Sequence, residues 1–254
     1  MNGLIGFFDI LGYQNFLNNN SAIDSALEVL DIITGIPVEV KAFMTSQADT
    51  EDEKEVSDAL KHLVFSDTIV LTLAYPDEAD EAWKSNAHTF MSISSVILAA
   101  EMFKKGLPIR GVIHEGDFIT KETCLAGKGI VEAYKLCESL DFSGVIFSEK
   151  LVTKRNLKHD NNGIYLFTYL TPRSDGSESK LLNGNWINFL GENHVSQCRK
   201  DVEKFVLESF WAHQKDCSIN VDSKVRNTVK IIRKMLHNID IDKAKKTDMP
   251  LMLS

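Results

Sequence analysis

The most constraining feature of the chain is an apolar run near its start, GLIGFFDI at residues 3–10, with Gly12 just beyond it. A short continuous run of this kind, ended by a glycine, predicts a central β-strand that is buried on both faces. Asp9 is the one charged residue in the run and lies at its exit. The sequence therefore predicts a sheet built around this strand, with a carboxylate at the edge of the sheet.

The rest of the first two thirds alternates between helix and strand patterns. Residues 60–73, LKHLVFSDTIVLTL, predict a hairpin that turns at Ser66 and Asp67. Residues 45–58, TSQADTEDEKEVSD, are typical of an acidic, solvated connector, and Pro37 predicts a break or kink in the preceding helix. We also expect helices over residues 20–44, 79–105 and 128–140, and strands over IRGVIHEGDFI, GVIFS and GIYLFTYLT. Such mixing without a strict repeat indicates the α+β class.

The character of the chain changes after about residue 182, where two amphipathic segments follow, 195–215 and 222–237. We therefore divide the chain into a first domain, residues 1–182, and a helical C-terminal extension, residues 183–254. The tail from residue 242 is expected to fray. The sequence leaves open whether these helices extend a dimer interface or bind a regulator.

Composition excludes several classes of partner. The net charge of −8 and the pI near 5.4 disfavour binding to nucleic acid or to an anionic membrane. No apolar run approaches the roughly 20 residues that cross a bilayer, so no membrane insertion is expected. The apolar N-terminus lacks the basic region of a signal peptide. The four cysteines show no C-x-x-C spacing, which indicates reduced thiols and a cytoplasmic protein.

Asp9 and Asp67 are the candidate metal ligands. If their strands are neighbours, the two carboxylates converge at one edge of the sheet. Carboxylate oxygens on a rigid base suit Mg²⁺ or Mn²⁺, which also bind substrate phosphates. The pair therefore predicts a two-metal site for phosphoryl chemistry. Either aspartate alone would more often be a cap or a turn residue.

Four motifs occur in the order found in one enzyme family: FFDILGY, FSDTIV, LPIRGVIHEGDF and TCLAGKGIVEAYKLCESL, within about residues 4–140. Together they resemble the class III adenylate and guanylate cyclases. The resemblance implies a ferredoxin-like βαββαβ sheet with helices on one face. It also implies head-to-tail homodimers with composite active sites, in which one subunit supplies the metal aspartates and the other supplies base-reading and transition-state residues.

The resemblance carries over residue by residue and unevenly. Asp9 and Asp67 match the metal aspartates, with the Ile10 carbonyl as a further ligand of two Mn²⁺ or Mg²⁺ ions. Lys135 stands at the position of the transition-state arginine, and Val131 replaces the asparagine that positions the ribose. The residues matching base or phosphate contacts are Leu63, Cys124 and Arg110.

Leu63 departs from the family, because purine cyclases have Lys or Glu at that position. A pocket without the purine-reading pair suits a smaller base. In this the chain resembles the bacterial pyrimidine cyclases of Pycsar antiphage systems. That resemblance implies conversion of UTP or CTP to 3′,5′-cyclic UMP or cyclic CMP and pyrophosphate, with the product acting on a separate effector. The alternatives are a purine cyclase and a cyclase-fold nucleotide sensor without turnover.

Overall fold

The computed structural model describes residues 1–13, 16–17, 23–121, 124–157, 165–213 and 219–247. Its strands are β1 (Asn2–Ile10), β2 (Leu60–Phe65), β3 (Thr68–Ala74), β4 (Ile109–Asp117), β5 (Ile119–Lys121), β6 (Cys124–Ala126), β7 (Gly144–Phe147), β8 (Leu166–Pro172) and β9 (Glu178–Gly184). Its helices are α1 (Ile23–Ser46), α2 (Glu51–Ala59), α3 (Glu81–Lys104), α4 (Lys128–Glu138), α5 (Glu149–Arg155), α6 (Glu192–Lys200), α7 (Val202–Trp211) and α8 (Ile219–Thr247). A 3₁₀ turn, Trp186–Phe189, follows β9.

Seven strands form one mixed sheet in the order β2-β3-β1-β4-β7-β9-β8. The first four are all antiparallel to their neighbours and follow βαββαβ connectivity, which is the predicted ferredoxin-like arrangement. β7 joins β4 in parallel, and β9 and β8 then extend the sheet antiparallel. The predicted α+β class is therefore confirmed. β5 and β6 form a separate two-stranded ribbon beside the sheet.

β1 lies inside the sheet between β3 and β4, as its apolar run predicts, and its residues 3–8 are buried. Alternate residues of β1 face opposite sides of the sheet, and a different helix packs on each side. α3 packs on the Phe8 side, with α1 against it. α4 lies on the Ile5 side, where a glycine, Gly129, allows its backbone to approach the sheet closely. Helices therefore cover both faces, which corrects that part of the prediction.

The acidic segment predicted as a connector contains a helix, α2. Thr50 and Glu53 form a capping box: the Thr50 hydroxyl accepts the Glu53 N–H at 3.2 Å, and the Glu53 carboxylate accepts the Thr50 N–H at 3.1 Å. This satisfies two N–H groups that a helix start leaves without partners. Val56 is fully buried, so the helix also contributes to the core. The preceding helix, α1, runs through Pro37 without a break.

The C-terminal helices pack on the same core as the sheet. Trp186 is fully buried with its ring 4.6 Å from that of Phe103 on α3. On α8, the Thr228 hydroxyl accepts the Ser143 N–H at 2.8 Å, just before β7. β9 extends to Gly184, so the sheet runs slightly past the predicted boundary at residue 182; the division into two domains stays a prediction. α8 continues to Thr247 where fraying was predicted from residue 242, and residues 248–254 lie outside the described part.

Within the part of the chain that the structure describes, we find no helix with the length and apolarity needed to cross a membrane.

Candidate active site

Asp9 is the penultimate residue of β1 and stands between two strands. Its partners across the antiparallel pairs are Thr68 on β3 and Arg110 on β4. Residues directly opposite each other in such pairs point to the same face of the sheet. Thr68 in turn pairs with Phe65 on β2. One row across the sheet therefore carries Phe65, Thr68, Asp9 and Arg110 on the face that α4 covers.

Asp67 is brought beside this row by the geometry of the hairpin turn. Ser66, the first of the two turn residues, has φ +54°, a left-handed conformation that glycine adopts more easily. The serine therefore forms the turn at some conformational cost. The Ile10 N–H donates to the Asp67 carbonyl at 2.9 Å and ties the turn to the end of β1. The structure thus brings together the two predicted metal aspartates.

The charge of Asp9 is strongly influenced by its surroundings. Burial raises the pKa of Asp9 above its ordinary value, the Arg110 guanidinium beside it lowers that pKa, and the nearby Asp67 carboxylate raises it again. The net direction is upward. Two carboxylates held close in a partly buried position repel each other, and a bound cation relieves that repulsion. The electrostatics of the pair therefore favour a cation.

Arg110 is held in place by three hydrogen bonds. Its Nε–H donates to Asp9 Oδ2 at 2.7 Å, and Nη1 donates to the carbonyls of Glu138 at 2.8 Å and Leu140 at 3.1 Å, at the end of α4. Its side chain is 16% exposed and that of Asp9 is 24% exposed. The arginine therefore links β1 to the C-terminal end of α4. Its predicted contact with a substrate phosphate stays a prediction.

The donor set fits a hard divalent cation. Asp9 keeps one carboxylate oxygen outside the Arg110 hydrogen bond, and Asp67 adds a second carboxylate. Ile10, whose carbonyl is the further predicted ligand, directly follows Asp9. Among the described residues, no group of three or more His, Cys, Asp or Glu side chains could hold a metal by itself. Two carboxylates with little else match the way Mg²⁺ is bound, since that ion keeps waters and substrate phosphates as its other ligands.

Lys135 lies on α4, which covers the same face of the sheet as Asp9. It is exposed, and among the described residues its side chain makes no hydrogen bond or ion pair. Its neighbour Tyr134 packs edge-on against Phe7 of β1 at 5.7 Å between ring centroids. Val131, at the predicted asparagine position, is 50% exposed. The structure places both α4 positions on the surface and gives neither of them a contact with Asp67.

Leu63 and Cys124, the predicted base-contacting residues, lie apart from the aspartates. Leu63 is half-buried on β2 and faces the same side of the sheet as Asp9, because it pairs with Val70, which pairs with Phe7. Cys124 begins β6 in the two-stranded ribbon and is exposed. The structure brings neither into contact with Asp9 or Asp67, so their roles stay predictions.

Exposed apolar side chains lie near the site, on the same face of the sheet as Asp9. Phe65 is 70% exposed, Tyr134 46% and Val131, one helical turn before Tyr134, 50%. They come from the β2–β3 hairpin and from α4. Single exposed apolar residues are ordinary, but several around one site are typical of an interaction surface. We call Phe65, Val131 and Tyr134 the apolar rim. The sequence alone did not predict it, because these residues belong to different elements and come together only in the fold.

Sequence reasoning also missed the link between Arg110 and Asp9. The signal was available in principle, because an antiparallel pairing of GLIGFFDI with IRGVIHEGD in the observed register sets these two residues opposite each other. Without the register of β1 against β4, only the family resemblance could place Arg110 near the site.

Known structures with a similar fold include cyclases. The guanylyl cyclase Cya2 is 12% identical, with a TM-score of 0.42 over 72% of this chain and 90% of that chain. The guanylate cyclase domain of RhGC from Catenaria anguillulae, solved in complex with GTP, is 13% identical, with a TM-score of 0.43 over 72% of this chain and 95% of that chain. A bacterial light-regulated adenylyl cyclase is 9% identical, with a TM-score of 0.43 over 81% of this chain and 57% of that chain.

No protein-family model matches the chain, and no curated protein matches it. At the identities and TM-scores above, similarity to the solved structures carries no argument about chemistry. The function must be argued from the chain's own residues.

Proposed function

We propose that the chain is a metal-dependent nucleotide cyclase. The observation that carries the proposal is the placement of Asp9 and Asp67 side by side at one sheet edge, through the bond from the Ile10 N–H to the Asp67 carbonyl. In the proposed reaction the ribose 3′-oxygen of a nucleoside triphosphate forms a bond to the α-phosphorus. The bond from that phosphorus to the bridging oxygen breaks, pyrophosphate leaves, and the 3′-hydroxyl proton passes to solvent.

The residues of this chain serve mainly to hold and align. Asp9, Asp67 and the Ile10 carbonyl would hold two Mg²⁺ or Mn²⁺ ions. Such ions lower the pKa of the attacking hydroxyl and neutralise charge on the triphosphate. Arg110 keeps the Asp9 carboxylate oriented through its 2.7 Å hydrogen bond. Positioning of this kind supplies a large part of the acceleration in phosphoryl transfer.

The site is proposed to be completed by a second copy of the chain. Lys135, the candidate transition-state cation, is exposed and makes no contact with the aspartates among the described residues, whereas the apolar rim around the site is suited to an interface. A two-fold dimer would bring Lys135 of one subunit toward Asp9 and Asp67 of the other, and would form two equivalent sites. Arg110 could then also reach a phosphate if it shifts from Asp9.

The proposed substrate is UTP or CTP. Leu63 offers no hydrogen bond where purine cyclases read the base, and Cys124 is the other candidate in that role. The preference for a pyrimidine triphosphate rests on the motif resemblance. So does the proposal that the cyclic product acts as a messenger on a separate antiphage effector. A purine cyclase with an altered pocket is the nearest alternative.

Two departures from the family pattern favour a second function, a nucleotide sensor without turnover. Val131 occupies the position of the ribose-positioning asparagine, and Lys135 occupies that of the transition-state arginine. Both changes would slow turnover more than binding.

A comparison of aspartate variants tests the proposal. Wild type, Asp67→Asn and the control Asp77→Asn are assayed for Mn²⁺-dependent release of pyrophosphate from each triphosphate. Asp77 is exposed and follows the end of β3 that is far from Asp67. Its substitution therefore removes the same charge without changing the site. We expect activity in wild type and Asp77→Asn only. Metal-dependent binding of nucleotide without pyrophosphate release would favour the sensor, and equal activity in all three would refute the metal site.

A further inference from the structure

A cavity lies on the opposite face of the sheet from Asp9. It has a volume of about 730 Å³ and is bounded by the first half of α3, the end of α5, the start of β8 and the 3₁₀ turn. Glu115 of β4 marks this face, because it alternates with Arg110 and His114 along the strand. The cavity is therefore separate from the candidate active site. Its volume is in the range of small-molecule sites.

One wall of the cavity is apolar. It is lined by Ile93 and Val96 of α3, Leu166 of β8, Phe189 of the 3₁₀ turn and Leu157. A wall of this composition favours an aliphatic or aromatic body, since removing apolar surface from water is favourable in proportion to the area buried.

The opposite end of the cavity carries a charged cluster around Arg155. Its Nε and Nη2 donate to the buried Glu115 carboxylate, each at 3.1 Å. Lys154 donates to the same carboxylate at 2.6 Å. Two cations thus share one buried carboxylate, which leaves one positive charge to be balanced by other groups.

That remaining charge is met by a solvent-exposed partner that a third cation shares. Arg155 Nη1 donates to Glu81 at 3.0 Å, and Lys84 donates to the other oxygen of the same carboxylate at 3.0 Å. The Glu81 side chain is 79% exposed while that of Arg155 is 13% exposed. Because Glu81 is held largely in solvent and is shared with Lys84, we expect that another anion can replace it at Arg155. His88, which also lines the cavity, adds no charge near pH 7, because burial and the neighbouring Arg155 lower its pKa to about 4.

We propose that this cavity binds an amphipathic carboxylate, with an aliphatic body against the Ile93 and Leu166 wall and an anionic head on Arg155 in place of Glu81. The positive charge of Arg155 favours an anionic head group, and the apolar wall favours an aliphatic body. The site is independent of the proposed cyclase activity, because nothing in it involves the aspartates or their face of the sheet.

Calorimetric titration of the full chain with three probes tests the proposal. Sodium decanoate, 1-decanol and decyltrimethylammonium share an alkyl chain and differ in the charge of the head. We expect saturable binding of decanoate at one site, at least about tenfold weaker binding of the alcohol, and none of the cation. Equal binding of the cation, or no saturable binding of decanoate, would overturn the proposal.

Two variants locate the site. Glu81→Gln removes the competing carboxylate and should tighten decanoate binding about two- to fivefold. Glu78→Gln, a matched loss of an exposed carboxylate three residues earlier, should leave it unchanged. Ser92→Trp, from the lining of the cavity, should fill it and abolish binding, with the melting temperature as a check of folding. Unchanged binding in both Glu81→Gln and a folded Ser92→Trp would show that decanoate binds elsewhere.

Discussion

Arg110 and Asp9 stand directly opposite each other on neighbouring antiparallel strands, and the Arg110 Nε–H donates to the Asp9 carboxylate at 2.7 Å. This pairing has two effects on the candidate site. It holds the carboxylate in one orientation, and it supplies a positive charge beside two aspartates that repel each other. Arg110 also ties the end of α4 to the sheet, through the carbonyls of Glu138 and Leu140.

Arg110→Gln should lower the free energy of unfolding at pH 7 by about 1–3 kcal/mol, because it leaves Asp9 partly buried without its cation. The pKa of Asp9 is already raised in the folded protein, so its favourable contribution is present below its unfolded pKa and is lost as the pH rises through the folded pKa. The variant raises that pKa further. Its deficit relative to wild type should therefore grow between about pH 4 and pH 7.

Urea unfolding at several pH values measures this deficit. The double variant Arg110→Gln, Asp9→Asn is the control, since it has lost the same bonds to Glu138 and Leu140 but carries no charge at position 9. Measured against Asp9→Asn alone, which also carries no charge at position 9, its deficit should not change with pH. Parallel stability curves for wild type and Arg110→Gln would contradict the proposed charge coupling.

Asp9→Asn and Asp67→Asn should each remove the stabilisation that Mn²⁺ gives wild type, while leaving the metal-free protein as stable as wild type or up to about 1 kcal/mol more stable. The reason is that each substitution removes one of two repelling carboxylates, and the amide oxygen introduced by Asp9→Asn can still accept from Arg110. Thermal melting with and without Mn²⁺ gives both quantities. Loss of the fold in both variants would instead assign the aspartates a structural role.

The elements around the site were largely predictable from the sequence, for local reasons. The strand that ends at Asp9 and the hairpin that turns at Asp67 both depend on short apolar runs with clear ends. α2 was missed because its acidic composition suggested a solvated segment, although Thr50 and Glu53 have the spacing of a capping box in the sequence. α5 and β9 were also not predicted.

The non-local features could not be predicted in the same way. The pairing of β1 with β4, and with it the Arg110 to Asp9 bond, joins residues 101 positions apart and depends on strand register. The placement of α4 on the second face depends on the close approach at Gly129. The cavity beside Arg155 is formed by four elements, so no local pattern reveals it.

UTP or CTP should be converted faster than ATP or GTP. Leu63 leaves the edge of a purine base without a hydrogen-bond partner, and an unpaired buried polar group costs roughly 1–3 kcal/mol. Competition among the four triphosphates, with products separated and quantified, measures the preference. Leu63→Lys, on the half-buried β2 position, should shift the preference toward purines. A clear preference of wild type for ATP or GTP would refute the pyrimidine assignment.

Asp9→Ala and Lys135→Ala should each be nearly inactive alone and should regain activity on mixing. In a two-fold dimer with shared sites, each variant damages both sites of its own homodimer. A heterodimer collects both lesions in one site and leaves the other intact, so activity can return to about half per heterodimer.

Subunit exchange followed by a cyclase assay tests this. Lys128→Ala, on the same helix, is the control and should be active without mixing. Heterodimers that are verified by mass and remain inactive would show that Asp9 and Lys135 do not act in one shared site. Full activity of Lys135→Ala alone would remove Lys135 from the mechanism.

The most direct measurement is the identity of the product. Purified chain is incubated with UTP, CTP, ATP and GTP separately, with and without Mn²⁺, and the products are identified by mass and by comparison with 3′,5′-cyclic standards. We expect a 3′,5′-cyclic pyrimidine nucleotide and an equal amount of pyrophosphate, only with Mn²⁺ and only when Asp9 and Asp67 are both present. Absence of any cyclic nucleotide from all four triphosphates, in protein shown to bind Mn²⁺ and nucleotide, would contradict the assignment of a cyclase.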